Sequence, residues 1–201
     1  MSYSSNNYWQ TERVRVRAFD HDDIERMVQT RNERDGRLEW LHDVIQPPQT
    51  AAKIREDFGG MVDIWGKGGD DRCLLAVETL DGEYAGELSV WYTKRPEMYF
   101  IYGIYIIKKF QGKSLGKDAL KILLDYYFNE KGFRKAEAHV YSFNPASCAF
   151  HEGFGFKREG TLRARIFTRG TPNDVHIYGL MSDEFNARHN HNSWRHSEST
   201  L

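Results

Sequence analysis

The segment Tyr102-Gly-Ile-Tyr-Ile-Ile-Lys-Lys-Phe-Gln-Gly-Lys-Ser-Leu-Gly-Lys117 constrains this chain more than any other. An apolar, strand-forming run passes through a loop of small residues into the first turn of a long helix. Such a junction can turn several backbone N–H groups toward one point, and the positive end of the helix dipole adds to them. It is therefore suited to holding phosphate, with an ordinary strand-to-helix turn as the alternative. Gly112-Lys113-Ser114 imitates the end of the nucleotide P-loop, G-x-x-x-x-G-K-[ST]. That motif needs a glycine five residues before Gly112, where Ile107 stands, and a β-branched residue cannot make the tight turn.

A second segment follows, Arg134-Lys-Ala-Glu-Ala-His-Val-Tyr-Ser-Phe-Asn-Pro-Ala-Ser-Cys-Ala-Phe-His-Glu-Gly-Phe-Gly-Phe156. Ala136, Ala138 and Val140 alternate with Glu137, His139 and Tyr141, the period of a strand. Asn144-Pro145 then starts a helix, because Asn is a good N-cap and Pro suits the first helical position. Gly155 ends it. Gln111, Gly112, Lys113, Ser114, Leu115 and Gly116 resemble the pyrophosphate loop [QR]-x-x-G-x-[GA] of GNAT acetyltransferases, with Ser114 where the first glycine is usual. Serine is small and suits a helix N-terminus, so this departure is mild. The second segment resembles the signature N-x-x-[SA]-x-x-[LF]-x-E-x-x-G-F of the same family, at Asn144, Ser147, Phe150, Glu152, Gly155 and Phe156. The resemblance runs from about Val14 to Phe185. Within the family it is nearest to the branch of ribosomal-protein N-terminal (Ala/Ser) acetyltransferases, on Asp174 and Ile177-Tyr-Gly-Leu-Met181.

The chain has 201 residues, enough for one domain with a sizeable core. Its net charge of −1 gives no basic surplus, so nucleic acid is not an expected partner. No apolar run is long enough to span a membrane, and the N-terminus has no signal-peptide core. Cys73 and Cys148 lack metal-site spacing and suit a reducing, cytoplasmic setting. Cys148 reads as a small buried hydrophobe before it reads as a nucleophile. Residues 1–10 are polar and expected to be loose, residues 11–185 form the domain, and residues 186–201 read as a disordered tail. The tail's His189, His191 and His196 have no core-forming neighbours.

Periodicity and turn residues give the order β-α-α-β-β-β-α-β-α-β-β. The strands expected in the middle of the chain are Cys73–Leu80, Tyr84–Tyr92 and Met98–Ile107. A long helix covers Ser114 to Glu130 with Leu115, Ala119, Ile122, Leu123, Tyr126 and Tyr127 on one stripe. A final hairpin, Lys157–Phe167 and Asp174–Met181, turns around Arg169–Asn173. That order matches the GNAT fold of the α/β (α+β) class: one mixed, bent sheet of about seven strands with helices on both faces.

The resemblance implies acetyl-coenzyme A as co-substrate, no metal, and an amine as acceptor. The Gln111–Lys117 loop would hold the pyrophosphate, Lys113 and Lys117 would add positive charge, and Asn144 would bind the pantetheine or the acceptor. The pantetheine arm would lie between the fourth and fifth strands, with the Ile106 N–H facing the thioester oxygen. Many relatives place a tyrosine acid where this chain has His151. In the N-terminal-acetyltransferase branch the proposed acid is the serine of the signature, here Ser147, and His151 is the second candidate. Glu87 is the first candidate for the base, against a solvated strand carboxylate, with Tyr102 or Tyr105 as water relays. The acceptor would enter between Arg34–Gln49 and Phe167–Asp174. There Asp35, Glu39, Trp40, His42 and Asp43 suit a cationic amine, or else form a solvated loop. A small-molecule amine and a protein N-terminus both fit, and a homodimer is a candidate assembly. The rival reading is a non-catalytic acyl-coenzyme-A-binding module.

Overall fold

The computed structural model describes residues 7–32, 50–65, 72–93 and 96–189. The strands are β1 (Val14–Ala18), β2 (Arg72–Thr79), β3 (Tyr84–Tyr92), β4 (Tyr99–Ile106), β5 (Lys135–Tyr141), β6 (Lys157–Thr168) and β7 (Thr171–Met181). The helices are α1 (His21–Asn32), α2 (Ala51–Trp65), α3 (Leu115–Asp125), α4 (Pro145–Phe154) and α5 (Ser182–His189). The seven strands form one sheet in the order β1-β2-β3-β4-β5-β7-β6. All neighbours are antiparallel except β4 and β5, which run parallel. The fold is the mixed α/β sheet that the element order implied.

Side-chain alternation assigns the helices to faces. Trp91 of β3 meets Trp65 of α2 at 6.0 Å between ring centroids. On the opposite face Phe100 of β4 stacks on Tyr127 at 4.6 Å, just beyond the end of α3. Each face buries an apolar surface that could not be exposed without losing the hydrophobic stabilisation. The α3 stripe is buried as its spacing predicts, except that Tyr126 stays half-exposed.

Two features of α3 lie outside the periodic pattern. Asp118 and Asp125 are as buried as the leucines beside them. The cause is the N-terminal segment, which crosses the back of the helix. Arg13 grips Asp118 with Nε at 2.7 Å and Nη2 at 2.9 Å, and Thr11 Oγ1 donates to the same carboxylate. Tyr8 Oη donates to Asp125 at 2.8 Å, and Trp9 packs on Tyr126. Residues 7–10 are therefore docked rather than loose. The helix also ends its α-geometry at Asp125 and continues as one π-turn, Tyr126–Glu130.

The expected elements extend or shift at several ends. Helix α2 runs to Trp65, about two turns past Phe58, where its sequence pattern suggests an end. A fifth helix that the expected order lacks, α5, takes up residues 186–189 of the expected tail, and its Phe185 is fully buried. The last hairpin turns tightly at Arg169-Gly170, both at positive φ (54° and 78°), so pairing continues through Phe167 and Pro172. Proline usually signals a loop, which is why the sequence pattern widened the turn.

Gly86 is a backbone requirement. A Cβ there would lie 2.0 Å from the Tyr105 carbonyl oxygen and 3.0 Å from Ile106 Cα. We expect Gly86→Ala to cost about 3 kcal/mol or more in urea denaturation, because neither clashing atom belongs to a flexible side chain. Gly82→Ala, in open space at φ 89°, should cost only about 1 kcal/mol.

Candidate active site

The pairing of β4 with β5 covers only Tyr99–Lys135, Phe100–Ala136 and Ile101–Glu137. Beyond Ile101 the two strands part. Ile107 N–H donates to Ala85 O and Thr93 N–H donates to Tyr99 O, so odd-numbered residues of β4 present their backbone groups to β3. By alternation the N–H groups of Tyr102, Ile104 and Ile106 face the side where β5 has left. This is an exposed strand edge inside a sheet, a place where an amide-bearing chain can pair.

The loop after β4 closes the end of that gap. Lys108–Phe110 form one 3-10 turn, and Phe110 is buried beneath it. The Gln111 side-chain amide donates back to Ile106 O at 2.8 Å, so this side chain fixes the loop on the end of β4. Gly112 (φ 74°) and Ser114 (φ 65°) are both left-handed, and α3 starts at Leu115. Alternation of this kind turns successive N–H groups into one concavity at a helix N-terminus, which fits a pyrophosphate. Residues 111–114 and Lys117 are exposed, with Lys113 Nζ over the Phe110 ring. Gly116 lets α3 approach β4: a Cβ there would sit 3.3 Å from Ile106 Cγ1, and Ile104 and Phe150 are nearly as near.

Ser114 does not serve as the capping serine that its small size suggested. Its side chain makes no cap hydrogen bond, and its backbone holds the left-handed conformation that glycine adopts without strain. The family's usual glycine has a conformational reason at this position.

Helix α4 supplies the other wall. Asn144 is its N-cap, accepting from Ser147 N–H at 3.0 Å, and Pro145 occupies the first turn. Ser147 is half-buried, with Oγ 3.4 Å from His151 Nδ1. His151 Nδ1 lies 2.7 Å from the Ser147 carbonyl and donates to it, since that oxygen can only accept. His151 is only 3 % exposed, enclosed by Tyr102, Phe150, Phe156 and Tyr178. Burial lowers its pKa, while the carbonyl bond partly offsets this. The imidazole is therefore neutral at pH 7, with its proton on Nδ1. Cys148, beside Ser147, is half-buried and free. Tyr178 Oη donates to Glu152 at 2.7 Å, which ties the last turn of α4 to β7.

Glu87 differs from the solvated carboxylate that one reading of the sequence allowed. It is 5 % exposed, and Tyr84 Oη donates to its Oε2. Burial, then the carboxylate itself, pushes the Tyr84 hydroxyl well above its ordinary pKa. Glu87 sits directly opposite Tyr105 in the β3–β4 register. It shares its face with Trp91 and α2, whereas Tyr102 faces α4 and His151. Tyr102 and Tyr105 thus lie on opposite faces, and Tyr102 is too buried to meet bulk water. The Tyr84 contact was not legible in advance, because a bulge at β3 brings residue 84 onto the face of residue 87. Asp35, Glu39, Trp40, His42 and Asp43 lie outside the described residues. Among the described residues no three metal-ligating side chains converge.

Two outcomes follow from this geometry. Ser114→Gly should leave stability unchanged or raise it slightly, whereas Ser114→Val should cost about 1–2 kcal/mol by denaturation, because a β-branched residue resists φ 65°. His151 is depressed in the folded state, so below its unfolded value of 6.5 the unfolded chain binds more protons. Its contribution to stability is full above pH 6.5 and declines as pH falls through the lower folded pKa. Melting curves should show this acid-side slope, and His151→Phe should flatten it.

Comparison with known proteins agrees with the geometry. Residues 13–157 match the family model described as an acetyltransferase (GNAT) domain. The SPbeta prophage-derived uncharacterized N-acetyltransferase YokL of Bacillus subtilis is 29 % identical over 90 % of this chain and 97 % of its own length. The putative ribosomal N-acetyltransferase YdaF of the same organism is 26 % identical over 87 % of this chain and 94 % of its own. Among solved structures, spermidine N-acetyltransferase from Vibrio cholerae in complex with CoA and spermine superposes with a TM-score of 0.73 at 19 % identity, covering 87 % of this chain and 99 % of that one. That likeness concerns the fold. With the parted strands, the left-handed loop and the Asn-capped helix in place, the chain belongs to the GNAT acetyltransferase family and is an acetyl-coenzyme-A-dependent N-acetyltransferase.

Proposed function

We propose that this protein acetylates a primary amine by direct attack on the thioester in a ternary complex, with Ser147 as acid and Glu87 as base. The reading rests above all on where the two groups stand. Glu87 belongs to the sheet face that carries α2, and Ser147 heads α4 on the other face. The edge of β4 runs between them. Acetyl-coenzyme A supplies the acyl group. The backbone from Gln111 to Lys117 binds its pyrophosphate, Lys113 and Lys117 add charge, and Asn144 orients the pantetheine or the acceptor. The Ile106 N–H donates to the thioester oxygen as negative charge develops there, which typically stabilises such a transition state by about 3 kcal/mol.

The two proton transfers then fall to different faces. Glu87 takes a proton from the attacking amine, and the Tyr84 hydrogen bond fixes its carboxylate for that task. Ser147 Oγ–H protonates the leaving thiolate and is resupplied by water, since the residue is half-buried. His151 is a positioning residue in this scheme. Neutral and enclosed, it donates to the Ser147 carbonyl and holds the first turn of α4. The acceptor is a small-molecule amine or a peptide N-terminus. The two free thiols, Cys73 and Cys148, support a cytoplasmic setting as part of the same reading.

Free-thiol release from acetyl-coenzyme A, measured against spermidine, an aminoglycoside, an amino sugar and Ser- and Ala-initiated peptides, tests the scheme. We expect release with one amine class. Ser147→Ala should lower kcat about 100-fold with little change in KM for acetyl-coenzyme A. Glu87→Gln should lower kcat similarly and remove the acid limb of the pH–rate profile. Unchanged kcat in both variants would overturn the assignments.

A further inference from the structure

The edge strand β6 is divided in its electrostatics. Its first half has its charges engaged: Lys157 pairs with Glu184, Glu159 with Lys135, and Arg158 donates to Thr161. Its second half is different. Arg163 and Arg165, with Arg169 just beyond its end, are exposed, and among the described residues none of their side chains has a hydrogen bond or an ion pair. From Gly160 to Asn173 the sequence has no Asp or Glu. Elsewhere Arg13, Arg15, Arg17, Arg26 and Arg55 are gripped by carboxylates. Phe167, between the three, is 69 % exposed.

Charges on an edge strand can simply discourage pairing with other edges. Here the backbone does something further. The β6–β7 register jumps between Leu162–Val175 and Ile166–Asn173, so Arg163-Ala164-Arg165 bow out as a bulge. Bulges re-aim side chains and recur beside active sites. This one is held at strained cost, with Ala164 at φ 49°. Asp174 Oδ1 fixes it by accepting from Ala164 N–H at 2.8 Å. Asp174 in turn accepts from Ser142 N–H through its carbonyl and donates its own N–H to Ser142 Oγ. Ser142 lies two residues before Asn144, the N-cap of the helix that begins with Ser147. One hydrogen-bonded path therefore joins the arginine bulge to the mouth of the site.

We propose that Arg163, Arg165 and Arg169, with Phe167, form a docking surface for an acidic, extended peptide segment. The peptide adds along the outer edge of β6, where backbone groups are available, and its carboxylates pair with the positive charges of the arginines. The edge geometry favours an extended peptide over nucleic acid, and the charge opposes a polyamine. Combined with the acetyl transfer inferred above, on which this step rests, the acceptor is the N-terminal amine of a peptide with an acidic segment after it.

Binding and turnover are read separately. A C-terminally labelled, Ser-initiated peptide rich in Asp and Glu is titrated by fluorescence anisotropy, with its Lys-rich counterpart, spermidine and a short RNA as competitors. We expect the acidic peptide to bind and to weaken as salt rises. Arg163→Ala/Arg165→Ala should bind it about tenfold more weakly. Arg163→Lys/Arg165→Lys should retain most of the affinity, and coenzyme A should stabilise all forms equally against heat. Equal affinity in the double alanine variant, competition by spermidine or the Lys-rich peptide, or stronger competition by RNA would overturn the proposal. Arginine-dependent binding without thiol release from any acceptor would uphold the docking surface and instead sink the acceptor assignment.

Discussion

The parallel contact between β4 and β5 stops at Ile101 and Glu137, and the chemistry of the molecule depends on its stopping there. A continuous sheet would satisfy every backbone group along β4. The parting instead leaves the N–H groups of Ile104 and Ile106 facing a gap, where an amide-bearing ligand can complete the pairing that β5 abandons. The rest of the fold keeps the gap open at one end and closed at the other. Near its base, Phe100, Tyr127, Phe128 and Phe133 pack ring against ring and hold the strands together. At its mouth, β5 is drawn away by β7, to which it pairs along its whole length.

The two helices that border the gap are held from behind. Helix α3 follows the left-handed Gln111–Ser114 loop, and its buried Asp118 and Asp125 are taken up by Arg13, Thr11 and Tyr8 of the N-terminal segment. A buried carboxylate without such partners would be costly, so this segment and the helix stand or fall together. Helix α4 is anchored at its last turn by the Tyr178–Glu152 bond and, on its inner side, by the enclosed imidazole of His151. That enclosure changes the histidine's chemistry. A group that could exchange protons near neutrality in water is kept neutral, and the half-buried Ser147 is left as the residue that water can reach.

Much of this was legible from residue order, with limits that follow particular interactions. Asn144 caps α4 and Gly155 ends it, as short-range rules require, since both depend on backbone conformation within a few residues. The Gln111–Gly116 loop was visible as a strand-to-helix junction suited to phosphate. The role of Ser114 was not, because the need for a left-handed backbone arises from how the loop must turn onto α3. Glu87 was recognisable as a candidate but not as a buried one. Its partner Tyr84 reaches it only through a bulge, and one extra residue reverses which side chains share a face. The arginine bulge of β6 was hidden for the same reason: the sequence shows alternating residues there, while the register with β7 decides where they point.

By itself, then, the sequence determined most of the elements, their order, the strand-to-helix loop after β4 and the family, because periodicity, caps and turn residues act over short distances. Tertiary structure decided the rest. Long-range pairing set where β4 and β5 separate, burial by Tyr102, Phe156 and Tyr178 fixed the protonation of His151, and the docked N-terminal segment accounted for two carboxylates inside α3. Each of these depends on which elements of the fold meet, and no local pattern encodes that choice.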